Sequence, residues 1–294
     1  IEGVHVLQHT SYVPTEGGHF RQGHATVMQR QPSLTRCMSQ GGYVGFKSYG
    51  MQLQSRLLQN AFTASVYADI EIDLAVPYGD LQWTENRTSG GSHGRAVTTQ
   101  HGLLVHAIDT SRIAGLSIKG TYLNEGIYYK GDTGIVNNMN IIGCDAEFIS
   151  SATHAIKFGG STYGVMLNKF VDLNTYAGNG SIIAPYTLYL ASNAEGNEID
   201  ISASLYLVAD YGDFNEIHMR ASRPDAPTDV VTGTGLTLGG QDGIVSGIVG
   251  KYTNGLSFIA GAANYSLGML NLRNNTNVLA AASDAAAKAA SKGR

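Results

Sequence analysis

One short phrase returns in register. Asn197-Glu198-Ile199-Asp200-Ile201 reappears 18 residues later as Asn215-Glu216-Ile217-His218-Met219. The apolar triplet Leu188-Tyr189-Leu190 lies near the first copy. A second triplet, Leu205-Tyr206-Leu207, follows it at a spacing of 17. Further on, Gly235-Leu236-Thr237-Leu238 recurs at a spacing of 20 as Gly255-Leu256-Ser257-Phe258. Short apolar segments with a period near 20 predict a coiled β-structure, in which each turn buries its inward residues on its neighbours. The spacing varies, so the solenoid is imperfect.

Composition agrees. The chain has 294 residues, 43% of them hydrophobic, enough for a sizeable core. Charged residues are 14% and glycines number 37, which fits a turn-rich β-protein and argues against a helical bundle or a disordered chain. The formal net charge of −4 gives no general pull toward nucleic acid or anionic lipid. No apolar run predicts membrane insertion. Cys37 and Cys144 show no metal spacing and read as free thiols, with a single disulfide left open. No cofactor or metal motif is present.

Along the chain, residues 1–45 hold turns and short strands. From Gly50 to Ser65, Met51, Leu53, Leu57, Leu58, Ala61 and Phe62 fall near i, i+3, i+4, i+7 spacing, which predicts one amphipathic helix. Ile70-Glu71-Ile72-Asp73-Leu74 alternates as a strand. Pro77-Tyr78-Gly79-Asp80 is a turn, and Leu81-Gln82-Trp83 starts another strand. Residues 86–95 read as a polar loop. Strand candidates then follow from Leu103 to Leu272, including single strands over Ile113-Ile118 and Val165-Val171. The interval from Ser222 to Gly235, with Pro224 and Pro227, reads as the longest loop. Asn277 to Lys288 is Ala-rich with high helix propensity, either a tail or a segment that associates with copies of itself.

The order of helix, Ile72-to-Leu81 segment and strands resembles the opening of the pectate-lyase-like right-handed β-helices of phage tailspikes. There a capping helix precedes a phrase such as V-Y-V-P-x-G-x-Y; here Ile72-Asp73-Leu74-Ala75-Val76-Pro77-Tyr78-Gly79-Asp80-Leu81 takes that place. Ser111-Arg112-Ile113-Ala114-Gly115-Leu116-Ser117-Ile118-Lys119-Gly120 is similar to the family's V-T-I-x-G-L-T-I-x-G phrase. Glu16-Gly17-Gly18-His19-Phe20 is similar to its G-G-G-x-F turn. The resemblance covers roughly residues 10–275. It implies an all-β fold: a right-handed, single-stranded parallel β-helix over 66–275. An N-terminal segment with the capping helix (1–65) precedes it, and an Ala-rich helical segment (276–294) follows. It further implies a homotrimeric virion protein, a tailspike or tail fibre. Such a protein contacts other tail proteins and binds host surface polysaccharide outside the cell. A polysaccharide depolymerase, hydrolase or lyase, on the same fold is the alternative.

Equivalent outward residues on adjacent coils lie about 4.8 Å apart. The 18-residue register therefore places Asp200 beside His218, with Glu216 at the strand start, as an acid–base candidate. An ordinary cross-strand polar pair is the competing reading. Asp145, Glu147 and Asp172, beside His154 and Lys157, form a second acidic group whose plainer role is at coil corners. Tyr128, Tyr129, Tyr189 and Tyr206 are candidates to stack on sugar rings, with about half of them turned inward or into subunit contacts. Gly90-Gly91-Ser92-His93-Gly94 matches a nucleophile-elbow string by chance, lacking the strand and helix it needs. His101 and His106, five apart, are expected on opposite faces of a strand.

Overall fold

A computed structural model describes residues 1–7, 15, 18–74, 81–91, 98–120, 122–148, 154–177, 186–203, 207–222, 231–250, 252–272 and 275–279. Those residues form strands, turns and bends, with no helix among them. Each strand pairs in parallel with a strand one turn of chain away. One sheet takes Val44–Leu53, Ala68–Leu74, the first half of His101–Ala114, Glu125–Tyr129, His154–Phe158, Tyr186–Leu190, Val208–Asp210, Val231–Leu238 and Tyr252–Phe258 in succession. The intervening strands make a second sheet. His101–Ala114 is long enough to serve both, since its second half pairs with Leu81–Thr84 and Val136–Ile142 there.

Alternation builds the core. Phe46, Ile70, Leu103, Ile127, Ile156, Leu188, Val208, Leu236 and Leu256 are successive register partners, and all are buried. Tyr129 stacks on Phe158 inside, with ring centroids 4.5 Å apart. Cys37 and Cys144 are buried free thiols, as expected. The predicted 18-residue register holds: Ile199 pairs with Ile217, Asp200 with His218 and Ile201 with Met219. The four apolar residues are buried, while Asp200 and His218 face outward, partly exposed. The 20-residue register of Leu236 with Leu256 and Leu238 with Phe258 also holds. The 17-residue one does not. Leu188 pairs with Val208 and Leu190 with Asp210, 20 residues on, while Leu205 and Tyr206 lie outside the described residues.

Corners recur at fixed places in this architecture. Arg36, Gln59, Glu85, Gly115 and Gly143 have positive φ, and each directly precedes an inward residue: Cys37, Asn60, Asn86, Leu116 and Cys144. A second column repeats the device at Asn138, Leu167, Gly196 and Phe214, which precede Met139, Asn168, Asn197 and Asn215. The left-handed residue breaks strand alternation and turns the chain. The asparagines that follow are buried and stacked. Asn168 donates its backbone N–H and Nδ2 to Asn197 Oδ1 at 3.1 and 2.9 Å. Asn197 repeats both bonds to Asn215 Oδ1 at 3.0 Å. Asn60 and Asn86 form a shorter stack of the same kind. These internal amides satisfy corner backbone groups that no strand partner reaches.

Corners also explain the predicted helix over Gly50–Ser65, which the structure replaces with Val44–Leu53, Ser55–Leu58 and Ala61–Thr63. Gln54 and Gln59 are left-handed corners. Gln52, Ser55, Leu57, Asn60 and Phe62 point inward, while Leu53 and Leu58 are exposed. Each corner resets the phase of alternation, so the leucines fall at helix-like spacing without sharing a face. Other predicted elements also change. Gly115-Leu116 splits Ile113-Ile118, and Leu167-Asn168 splits Val165-Val171. Arg87–Gly90 is a strand and not loop. The predicted Ala-rich helix from Asn277 begins instead as the strand Asn277–Leu279, paired with Tyr252–Phe258, and the end of the predicted 222–235 loop belongs to the strand Val231–Leu238. The Pro77–Asp80 turn, the rest of that loop and the segment from 280 lie outside the described residues.

Candidate functional site

The outward positions of the first sheet make one continuous face. Lys47, Glu71, Leu104, Tyr128, Lys157, Tyr189 and Ala209 are successive register partners, each flanked along its strand by core residues. Aromatic rings from the strand mouths join this column. Tyr43 stacks on Tyr67 at 5.4 Å, with planes 7° apart. Tyr67 meets the His101 ring edge-on at 5.6 Å, and His101 lies 6.1 Å from Tyr128. Lys157 Nζ sits 4.7 Å over the Tyr128 ring. His154 stacks on Tyr186 at 5.7 Å and meets Tyr189 at 4.6 Å, and Tyr189 lies 5.4 Å from Tyr211. From Tyr43 to Tyr211 the stripe crosses six ladder steps, about 29 Å at the usual strand spacing. Leu104 is buried beneath it, packed with Ala68, Tyr67 and Tyr128 apart from the main core.

Two charged clusters sit within the stripe. In one, Glu71 bonds Lys47 Nζ at 2.6 Å and faces His106 Nε2 at 3.4 Å. The other ring nitrogen of His106 lies 2.6 Å from Asp132, which also pairs with Lys130 at 2.5 Å. Thr133 Oγ1 donates to Asp73 at 2.5 Å, holding the 130–133 turn over this cluster. In the other, Glu125 faces His101 Nδ1 at 3.1 Å, His154 Nδ1 at 3.7 Å and Lys157 Nζ at 4.0 Å. The His101 contact is off the hydrogen-bond line. His101 and His106 thus share the outer side, against expectation. His101 opens its strand, where alternation has not yet set in, and turns toward Tyr67 and Glu125.

The electrostatics follow from this pairing. Burial alone would raise the carboxyls of Glu71 and Glu125. The imidazoles and lysines outweigh it, holding Glu71 below its ordinary range and Glu125 at about 2. Burial would likewise lower His106, but Glu71 and Asp132 raise it. Burial, and then nearby carboxylates, push the Tyr67 and Tyr128 phenols up to about 12, so both remain hydrogen-bond donors.

The residues singled out from sequence fall partly here. Tyr128 and Tyr189 are in the stripe. Tyr129 is fully buried in the core and offers no face to a ligand, because it occupies an inward position between Tyr128 and the next corner. Tyr206 lies outside the described residues. Asp200, His218 and Glu216 sit in the second sheet. Asp200 and His218 are register partners, yet Asp200 is bonded by Arg220 Nε. His218 instead meets Glu216 at 2.8 Å through Nε2 and Ser246 Oγ at 2.6 Å through Nδ1. The Glu216 and His218 side chains are 42% and 37% exposed, so water competes for this relay. His154 and Lys157 belong to the first sheet, whereas Asp145 and Glu147 belong to the second, in strand Asp145–Phe148. The side chains of Asp145, Glu147 and Asp172 lie outside the described set.

Sequence reading missed Tyr43, Tyr67, His101, Glu125, Tyr186 and Tyr211. The signal was present only as an outward residue beside each apolar pair, at steps too uneven to show a period. Among the described residues, no group of three or more His, Cys, Asp and Glu side chains is arranged to hold a metal ion. No family model, curated protein or solved structure matches the chain.

Proposed function

We propose that the chain winds as a right-handed, single-stranded parallel β-helix. It serves as the trunk of a homotrimeric phage tailspike or tail fibre that binds host surface polysaccharide along the first sheet. The aromatic stripe from Tyr43 to Tyr211 carries this reading. A sugar ring offers an apolar face with polar edges. Tyrosine and histidine rings interleaved with hydrogen-bonding side chains match both features. The parallel registers support the coil. The setting rests on the likeness of the Ser111–Gly120 phrase to tailspike sequences, without the capping helix.

Binding fits this face better than cleavage. Hydrolysis by paired carboxylates needs one of them kept protonated as the acid. Glu71, Glu125 and Asp132 are all held below their ordinary ranges, the wrong direction for that role. The depolymerase alternative retains one specific support, the raised His106 between Glu71 and Asp132, as a proton donor.

The test uses purified protein with capsular and O-antigen polysaccharides. Retention by one of them, lost in Tyr67→Ala and Tyr189→Ala, with no reducing ends released, is the expected result. Reducing ends released by the wild type and abolished by His106→Ala would establish the alternative. Light scattering at micromolar concentration reads the trimer, and a monomer there refutes it.

A further inference from the structure

We infer that the aromatic face of the first sheet selects an uncharged polysaccharide over an acidic one. This deepens the glycan-binding reading and rests on it. Among the described residues of the stripe, each lysine is already engaged. Lys47 bonds Glu71 at 2.6 Å, Lys130 pairs with Asp132 at 2.5 Å, and Lys157 is divided between Glu125 at 4.0 Å and the Tyr128 ring. The carboxylates of two of these pairs are shielded. The Lys47 and Glu71 side chains are 24% and 8% exposed, and those of Lys157 and Glu125 are 20% and 8%.

A uronate or phosphate entering the stripe must displace a carboxylate from its lysine. It would leave Glu71 or Glu125 buried without its lysine, with only histidines facing it, which is costly. It would also meet the carboxylates of Glu71, Asp73, Glu125 and Asp132 as like charges. A neutral sugar meets none of this. It finds ring faces at Tyr43, Tyr186, Tyr189 and Tyr211. The Tyr67 and Tyr128 phenols, kept protonated, remain able to donate. The histidines offer no free counter-charge either: His101 and His154 face Glu125, and His106 lies between Glu71 and Asp132.

The experiment is affinity electrophoresis through gels carrying members of a bacterial surface-polysaccharide panel, half uncharged and half bearing hexuronate or phosphate. Wild-type protein is expected to be retarded only by uncharged members. Glu125→Gln removes the carboxylate that Lys157 faces. Glu71→Gln independently frees Lys47. Each variant, shown to be folded by far-UV circular dichroism, should gain salt-sensitive retention on acidic members of about tenfold, the scale of one charge-assisted hydrogen bond. Equal retention of wild type on acidic and uncharged members overturns the inference and leaves glycan binding standing. So does a folded variant with no gain on acidic members. No retention on any member, with the fold intact, sinks the glycan reading itself.

Discussion

Asn197→Ala tests whether the internal amide stack holds successive parallel strands together. Asn197 is fully buried and makes four side-chain hydrogen bonds. Its Oδ1 accepts from the backbone N–H of Asn168 at 3.1 Å and from Asn168 Nδ2 at 2.9 Å. Its Nδ2 donates to Val165 O and Asn215 Oδ1, both at 3.0 Å. Alanine removes all four and leaves the Asn168 N–H facing a methyl group where water does not reach. At about 1 kcal/mol net for each bond, the loss is about 4 kcal/mol. That is a large fraction of a typical folding free energy. The control is Asn277→Ala. Asn277 also bonds an asparagine on the neighbouring rung, Asn254, but in the open, where the bond contributes well under about 1 kcal/mol. Urea unfolding followed by far-UV circular dichroism measures both. A loss below about 1 kcal/mol for Asn197→Ala, or an equal loss at Asn277, would show that the stack is incidental.

Asp210 is buried beneath the stack, its carboxylate accepting from Asn215 Nδ2, Gly212 N–H and Tyr265 Oη. Burial raises it from 3.8 to about 6, only partly offset by those bonds. The folded state therefore holds the Asp210 proton more tightly than the unfolded chain. Its contribution is full below pH 4 and is lost as pH rises to 6, by about 3 kcal/mol. Asp210→Asn should flatten this slope and match wild type near pH 4. An unchanged slope in urea midpoints between pH 4 and 7 refutes it. Glu125 runs the other way: its pairing stabilises above about pH 4 and is lost as pH falls toward 2. Glu125→Gln should remove that acid-side dependence. Ile199→Asp places an unpaired carboxylate in the core at a cost of several kcal/mol and should abolish soluble protein. Glu216→Ala and Asp200→Ala, at partly exposed pairs, should each change urea stability by under about 1 kcal/mol. They should also leave glycan retention intact, and loss of retention in either would move the site to the second sheet.

The parallel strand registers were legible because two steps, with a 28-residue one between them, happen to have similar lengths. From Glu198 to Glu216 the step is 18 residues, and from Leu236 to Leu256 it is 20, so like residues recur visibly. Elsewhere the step reaches 33, from Ile70 to Leu103, and no fixed spacing survives. What stays constant is the order of corner, inward residue and alternating strand. Some corners fall on Gly115, Gly143 and Gly196, but others fall on Gln54, Gln59, Glu85, Leu167 and Phe214, where the usual turn signals are silent. Uncounted corners produce the false helix over Gly50–Ser65, because each one shifts the phase of burial by a residue. They also misdirect the search for a site. A repeat search picks out the rungs of equal length, and these carried Asp200, His218 and Glu216. Along the first sheet, Tyr67, His101, Tyr128 and His154 come together only after steps of 34, 27 and 26 residues, and Tyr67 and His101 sit at strand mouths where alternation fails to assign a face. Side chains in a column are chosen by how many corners separate them. The chemistry of this face is therefore written in corner count, which a fixed residue spacing cannot read.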